Sequence, residues 1–214
     1  MGRLALRKQA YRGQLLLMII NNQYEFIFVA IARTGSTSIK SVLQHPDELK
    51  KLPPIYHASI DTILENNPHK KNYFKWAFVR NPWDRMVSAY HEFRNISAHG
   101  EWAEDLSLFL SAPTFEQFVL NFKGTEVSKD IHFIPQFDCI SIDGKIAVDF
   151  VGRYENYQKD FDHFCSSVNM PSFTLPRSRR TSRGDYRGYY QNTECIDVVR
   201  DFYHKDIEFF DYEF

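Results

Sequence analysis

The sequence predicts a three-layer α/β/α domain built on a mostly parallel sheet. Strand-like runs alternate with helical ones, and the strands are apolar on successive residues rather than on every second one. Two of them end in polar turns that open directly into helices. Tyr24 to Ile31 is almost wholly apolar after Glu25, the pattern of a strand buried on both faces. It runs into the polar turn Ala32–Ser38, after which Ile39, Val42 and Leu43 follow at helical spacing. Phe74 to Arg80 repeats the arrangement: Asn81 can cap, and Pro82 suits the first position of a helix reaching about Phe93. Ile146 to Val151 predicts a third strand, followed by an amphipathic helix over 155–168. A last helix is predicted over 193–209. Trp76, Phe78 and Trp83 are expected to pack the sheet against its helices, and the aromatic tail from Phe209 to Phe214 to dock on the body.

The chain has 214 residues, 43% hydrophobic and 25% charged, with no repeat or low-complexity linker, which fits one domain over 1–214. That length buries enough surface to fold without a disulfide or metal staple. Cys139, Cys165 and Cys195 are odd in number and widely spaced, matching neither a disulfide framework nor a zinc site, so a reducing compartment is expected. A net charge of −1 excludes coating of nucleic acid by bulk charge. The longest apolar run, Leu15 to Ile20, is six residues, where a spanning helix needs about twenty. Arg3, Arg7, Lys8 and Arg12 precede that run, but Asn21-Asn22-Gln23 offers no small-residue cleavage site. The expectation is a cytoplasmic protein without a membrane contact. Residues 1–23 read as an N-terminal extension. Segments 45–72 and 94–130 read as acceptor-side insertions, because open α/β sheets bind ligands beyond the carboxyl ends of their strands.

The turn 32–38 has the chemistry of an anion cradle. A helix starting directly after a buried strand presents unpaired N–H groups and a positive dipole end at the sheet edge. Gly35 allows a close turn, Arg33 adds a cation, and Thr34, Ser36, Thr37 and Ser38 add hydroxyls. The plainer alternative is a Ser/Thr-rich helix cap. The turn is not a nucleoside-triphosphatase loop, since it has one glycine and no Gly-Lys-Ser/Thr ending. No strand ends in an acidic pair, so no metal is expected. At the second strand end Arg80 is followed by Ser88, two helical turns on, and the two can converge on another anion. Alternatively, Arg80 pairs with Asp84 and Ser88 is a small packing residue. Two anion sites at neighbouring strand ends imply a ligand with two separated phosphate-like groups.

The stretches FIFVAIARTGSTS (26–38) and FVRNPWDRMVSAY (78–90) resemble the two cofactor motifs of the sulfotransferases. They are most similar to the carbohydrate sulfotransferase family that includes the Golgi 2-O-sulfotransferases and smaller microbial relatives. HFIPQ (132–136), DFVGRYENY (149–157) and the DIEFFDYEF ending extend the resemblance over about residues 24–214. It implies a P-loop-like sulfotransferase fold and 3′-phosphoadenosine-5′-phosphosulfate (PAPS) as donor, without a metal. Arg33 to Ser38 would surround the 5′-phosphosulfate, and Arg80 with Ser88 the 3′-phosphate. One position departs: Ala32-Arg33 stands where the family usually has Pro-Lys, and a planar guanidinium is not a compact ammonium. His57, in Tyr56-His57-Ala58-Ser59, resembles the Lys-His-Ala-Ser/Thr segment of microbial members and is expected to be the general base, with Arg33 stabilising the departing phosphate. His132 is the second choice of base. With Gln136 it is otherwise expected to shape the acceptor pocket or brace the loop. Glu101 and Glu104 are fallback carboxylates without motif support.

Residues 177–187 carry five arginines against one aspartate and read as a mobile basic segment. The resemblance implies closure over the nucleotide end of the donor, with Arg183 in contact. Capture of an acidic polysaccharide or a simple solvated loop are the other readings. The expected activity is therefore sulfuryl transfer from PAPS to a hydroxyl, on a saccharide acceptor. A non-catalytic polyanion- or nucleotide-binding protein is one alternative. A divergent P-loop kinase is the other, disfavoured by the missing Gly-Lys-Ser/Thr.

Overall fold

Four strands that pair in the order β1-β2-β3-β6 form the central sheet. β2 (Phe26–Val29) and β3 (Phe74–Val79) are its parallel centre, with Phe28 opposite Trp76. β6 (Phe150–Arg153) runs parallel to β3 on one side, and β1 (Ile19–Asn21) runs antiparallel to β2 on the other. The computed structural model describes residues 19–43, 58–98, 112, 114–176 and 184–214. The helices, in chain order, are α1 (Ser36–Leu43), α2 (Ile60–Asn66), α3 (Pro82–Ala98), α4 (Phe115–Phe122), α5 (Gln136–Ile140), α6 (Tyr157–Ser167), α7 (Thr193–Phe202) and α8 (His204–Phe210).

Both central strands are buried on both faces, so successive residues feed two cores. Ile27, Val29, Ala77 and Val79 face one core, which takes Met86 and Val87 of α3, Phe118 and Phe122 of α4, and Val199 of α7. Phe26, Phe28, Trp76 and Phe78 face the other, closed by Ile39 of α1 and by Phe161 and Phe164 of α6. Trp76 stacks on Phe164 with ring centroids 3.6 Å apart. This is the three-layer, mostly parallel arrangement expected. No helix among the described residues is long and apolar enough to cross a membrane.

Three element boundaries differ from expectation for identifiable reasons. The end of the 1–23 extension is not outside the sheet, because Ile19 pairs with Phe28 and buries its side chain. The run 146–151 is not one strand. Asp143 and Gly144 both have positive φ, the backbone of a tight hairpin turn, so β4 (Ser141–Ile142) folds back on β5 (Lys145–Ile146) before β6 begins. The last helix breaks at Tyr203, which leaves α-helical geometry at φ −106° and ψ 27°. The break lets Asp206 turn its carboxylate onto the start of α5. Within the segment 94–130, one face of α4 contributes core residues, Phe115, Phe118, Val119 and Phe122. Cys139, Cys165 and Cys195 are free and buried. Burial raises their thiols, those of Cys165 and Cys195 to about 11, which keeps them protonated and unreactive.

Gly152 of β6 is demanded by the second core, since a Cβ there would sit 2.7 Å from the Phe78 ring. Gly152→Ala should destabilise the fold by about 1–3 kcal/mol, the cost of overpacking a close-packed core, read as a lower midpoint in urea unfolding.

Candidate active site

The turn leaving β2 is shaped by two residues with left-handed backbone, Arg33 at φ 66° and Gly35 at φ 87°. Such a conformation in a residue with a Cβ costs about 1–3 kcal/mol and collects at functional sites. At position 35 only glycine fits, because a Cβ would meet the Tyr157 hydroxyl at 2.5 Å. The turn's carbonyls point into the protein and are held there. Ala32 O accepts from Arg85 Nε at 3.1 Å, Arg33 O from Arg80 Nη1 at 3.0 Å, and Gly35 O from the Tyr157 hydroxyl at 2.5 Å. Ser38 N and Ile39 N already donate to Gly35 O, at 2.9 and 3.4 Å, so the first-turn amides left ahead of these bonds are those of Ser36 and Thr37. The loop therefore presents donors outward, as an anion site requires.

The second strand end meets the first directly. Arg33 donates from Nε and Nη2 to Ser88 Oγ, at 3.2 and 3.0 Å, and pairs through Nη1 with Glu92 at 3.2 Å. Ser88 accepts both bonds, so its own hydroxyl proton is not used by them. Arg80 Nε and Nη2 hold Asp84 at 2.7 Å, and the guanidinium lies 4.2 Å from the Tyr154 ring centroid. These bonds and the one to Arg33 O use three of its five donors. Arg33 lies between Arg80 and Ser88, touching Ser88 with its side chain and Arg80 with its carbonyl, and the Arg80–Asp84 pair of the alternative reading is present.

Behind this surface lies a buried frame. Arg85, fully buried, donates through Nη2 to His132 O and Ile134 O at 3.1 and 2.9 Å, besides its bond to Ala32 O. Gln136, also fully buried, clamps the Arg80 main chain: Oε1 accepts from Arg80 N and Nε2 donates to Arg80 O, both at 2.8 Å. Asp206 accepts from the N–H groups of Gln136 and Phe137 at 2.9 and 2.8 Å. Burial pushes the Asp206 carboxyl above its usual range, with Arg85 and these donors opposing. Asn81 caps α3 by accepting from Trp83 N at 3.0 Å, and Glu155 accepts from Asn81 N at 2.7 Å.

These contacts join the two strand ends into one cradle. The sequence matches the sulfotransferase family over residues 17–213. The chain belongs to that family. An uncharacterized protein of Archaeoglobus fulgidus is 27% identical over 58% of this chain and 94% of its own. Carbohydrate sulfotransferase 14 of Danio rerio is 22% identical over 77% of this chain, and carbohydrate sulfotransferase 9 of Homo sapiens is 22% identical over 92%. This sulfotransferase chain covers only 51% and 47% of those two relatives.

Of the expected site residues, Arg33, Gly35, Ser36, Thr37, Ser38, Arg80 and Ser88 are brought to one sheet edge. Thr34 lies there too, but its hydroxyl donates to Ile31 O at 2.9 Å, so it braces the turn instead of serving an anion. Gln136, expected either to shape the acceptor pocket or to brace the loop, has both ends of its amide engaged on the Arg80 main chain, the bracing arrangement. His132 is half-buried, with Nδ1 2.7 Å from Asp130 Oδ1. His57, Arg183, Glu101 and Glu104 lie outside the described residues. Of the basic segment, Arg187 is described and packs over Tyr186, 4.6 Å from its ring centroid. No cluster of three or more acidic, histidine or cysteine side chains suited to a metal occurs among the described residues.

Arg85, Tyr157, Glu92 and Asp206 carry the site and were not singled out by the sequence. Arg85 lies within the second motif, five residues after Arg80, but nothing in the pattern says that it serves carbonyls. Arg85→Lys keeps the charge yet cannot reach three carbonyls in a fork. It should cost about 2–4 kcal/mol of stability, seen as a lower urea midpoint at unchanged slope. Tyr157→Phe should instead leave the fold within about 1.5 kcal/mol while weakening anion binding at the loop by several fold, measured by calorimetry with adenosine 3′,5′-bisphosphate.

Proposed function

We propose that this sulfotransferase takes its sulfuryl group from PAPS and passes it to a hydroxyl of a saccharide by in-line transfer, with His57 as general base. What carries this reading is that Arg33 of the first motif touches the second motif twice: its guanidinium donates to Ser88 Oγ, and its carbonyl accepts from Arg80. Two anion-binding strand ends so joined suit a ligand with phosphate-like groups at both ends of a nucleoside. The saccharide acceptor is supported by the relatives named carbohydrate sulfotransferases.

In this reading the α1 amides, Arg33 and the hydroxyls of Ser36 and Thr37 hold the 5′-phosphosulfate. Arg80 and Ser88 hold the 3′-phosphate, with Arg183 closing over the nucleotide. Glu92 and Asp84 keep the two arginines aimed before the donor arrives, which lowers the ordering cost of binding. PAPS supplies an activated sulfuryl group. The acceptor oxygen forms a bond to sulfur as the bond from sulfur to the phosphate oxygen breaks, and the hydroxyl proton passes to His57. Negative charge grows on the departing phosphate, which the loop donors and Arg33 stabilise in this reading. Positioning and electrostatics dominate such a transfer, as in phosphoryl transfer.

The test is a PAPS-dependent sulfation assay over a glycan panel with calorimetry in parallel. Arg80→Ala should weaken adenosine 3′,5′-bisphosphate by about tenfold or more. His57→Ala should lower turnover by about 10²–10⁴-fold with bisphosphate affinity unchanged. Sulfation that persists at wild-type rate in both variants rejects these roles.

A further inference from the structure

Lys40 is a buried ammonium with no hydrogen-bond partner among the described residues. Three other buried polar atoms share that condition, Trp76 Nε1, Tyr203 Oη and Arg85 Nη1. The first two are neutral, and the third belongs to a guanidinium whose other nitrogens are bonded. Lys40 alone among them is a full charge with nothing to meet it, one of the costliest states a folded chain can hold. Burial lowers its pKa to about 8, and no charged neighbour contributes to that shift.

Its place on α1 says what would meet it. Lys40 is four residues after Ser36 and three after Thr37, so all three share one flank of the helix. Helical side chains lean toward the N-terminus and cover the turn before their own Cα. The lysine stem is about as long as one 5.4 Å turn, enough for the ammonium to reach the level of Ser36, itself buried, and of the Ser36 and Thr37 amides that precede the bonds to Gly35 O. Ile39 faces the sheet core, and Ser38 faces Tyr157 on the opposite flank. The loop's other cation, Arg33, is held by Ser88 and Glu92 on α3. The first turn of α1 thus has a positive helix end and an uncompensated ammonium beside it, a combination that only an anion completes.

We propose that Lys40 is a donor-binding residue whose ammonium pairs with the 5′-phosphosulfate end of PAPS at the first turn of α1. This rests on the donor reading given above. It adds a second cation to the 5′ end: Lys40 from the flank of α1, beside Arg33, whose guanidinium is also held by Ser88 and Glu92.

A ligand-truncation cycle tests it. Binding of adenosine 3′,5′-bisphosphate and of adenosine 3′-monophosphate, which lacks the 5′ group, is measured by calorimetry on the wild type and on Lys40→Met. The variant should bind the bisphosphate about 10- to 100-fold more weakly and the monophosphate within about twofold. Its ligand-free melting temperature should be no lower than that of the wild type, because an unpaired buried charge has been removed. Lys40→Gln, neutral and of similar length, serves the same comparison should the methionine variant not fold. Equal bisphosphate affinity in variant and wild type overturns the role of Lys40 and leaves the donor reading standing, as does an equal loss toward both ligands. A wild type that binds neither nucleotide overturns the donor reading and this inference with it.

Discussion

One buried guanidinium sets the geometry on which the cradle depends. Arg85 reaches from the helix after β3 to the carbonyl of Ala32 at the end of β2, and to those of His132 and Ile134 in the segment before α5. Its charge opposes the rise that burial imposes on the Asp206 carboxyl, which accepts the first amides of α5. Three pieces of chain that are distant in sequence are thereby locked at one sheet edge. A charge-assisted fork onto carbonyls is stiff as well as strong, so the loop carbonyls stay turned inward and the loop amides outward.

The exposed chemistry is built on that frame in a second tier. Arg33 and Arg80 are each oriented by a carboxylate of α3, Glu92 and Asp84, so the same helix that supplies Ser88 also aims both cations. The strained turn at Arg33 is maintained because its carbonyl has a partner in Arg80 and its side chain has partners on α3. Gly35 and Tyr157 fit each other so closely that neither can change without moving the loop. The cradle is therefore organised before any ligand arrives, and the cost of organising it falls on folding instead of binding.

The two cores explain why this edge can be so polar. Aromatic stacking around Trp76 on one face and the α3–α4–α7 cluster on the other bury β2 and the carboxyl-terminal four residues of β3. The left-handed backbone and paired arginines at the carboxyl end are therefore carried by apolar burial along the strands. Stability and site chemistry are segregated along the strands, as is usual when the ligand site lies beyond the carboxyl edge of an open sheet.

Much of this was legible in the chain itself. Runs such as FIFVAI and FKWAFV have the pattern of strands buried in a parallel sheet, and a polar turn opening straight into a helix offers the backbone donors either of an anion site or of a plain cap. Local pattern therefore determined the fold class, the two motifs, and the positions of Arg33, Gly35, Arg80 and Ser88. Local pattern could not say which partner each side chain takes. The convergence of Arg33 on Ser88, the clamp of Gln136 on the Arg80 main chain and the reach of Asp206 to the start of α5 all involve contacts between distant segments. Hydrogen-bond partners of long polar side chains depend on where three or four separate elements come to rest, and that is decided only when the sheet and both helical layers have closed around them.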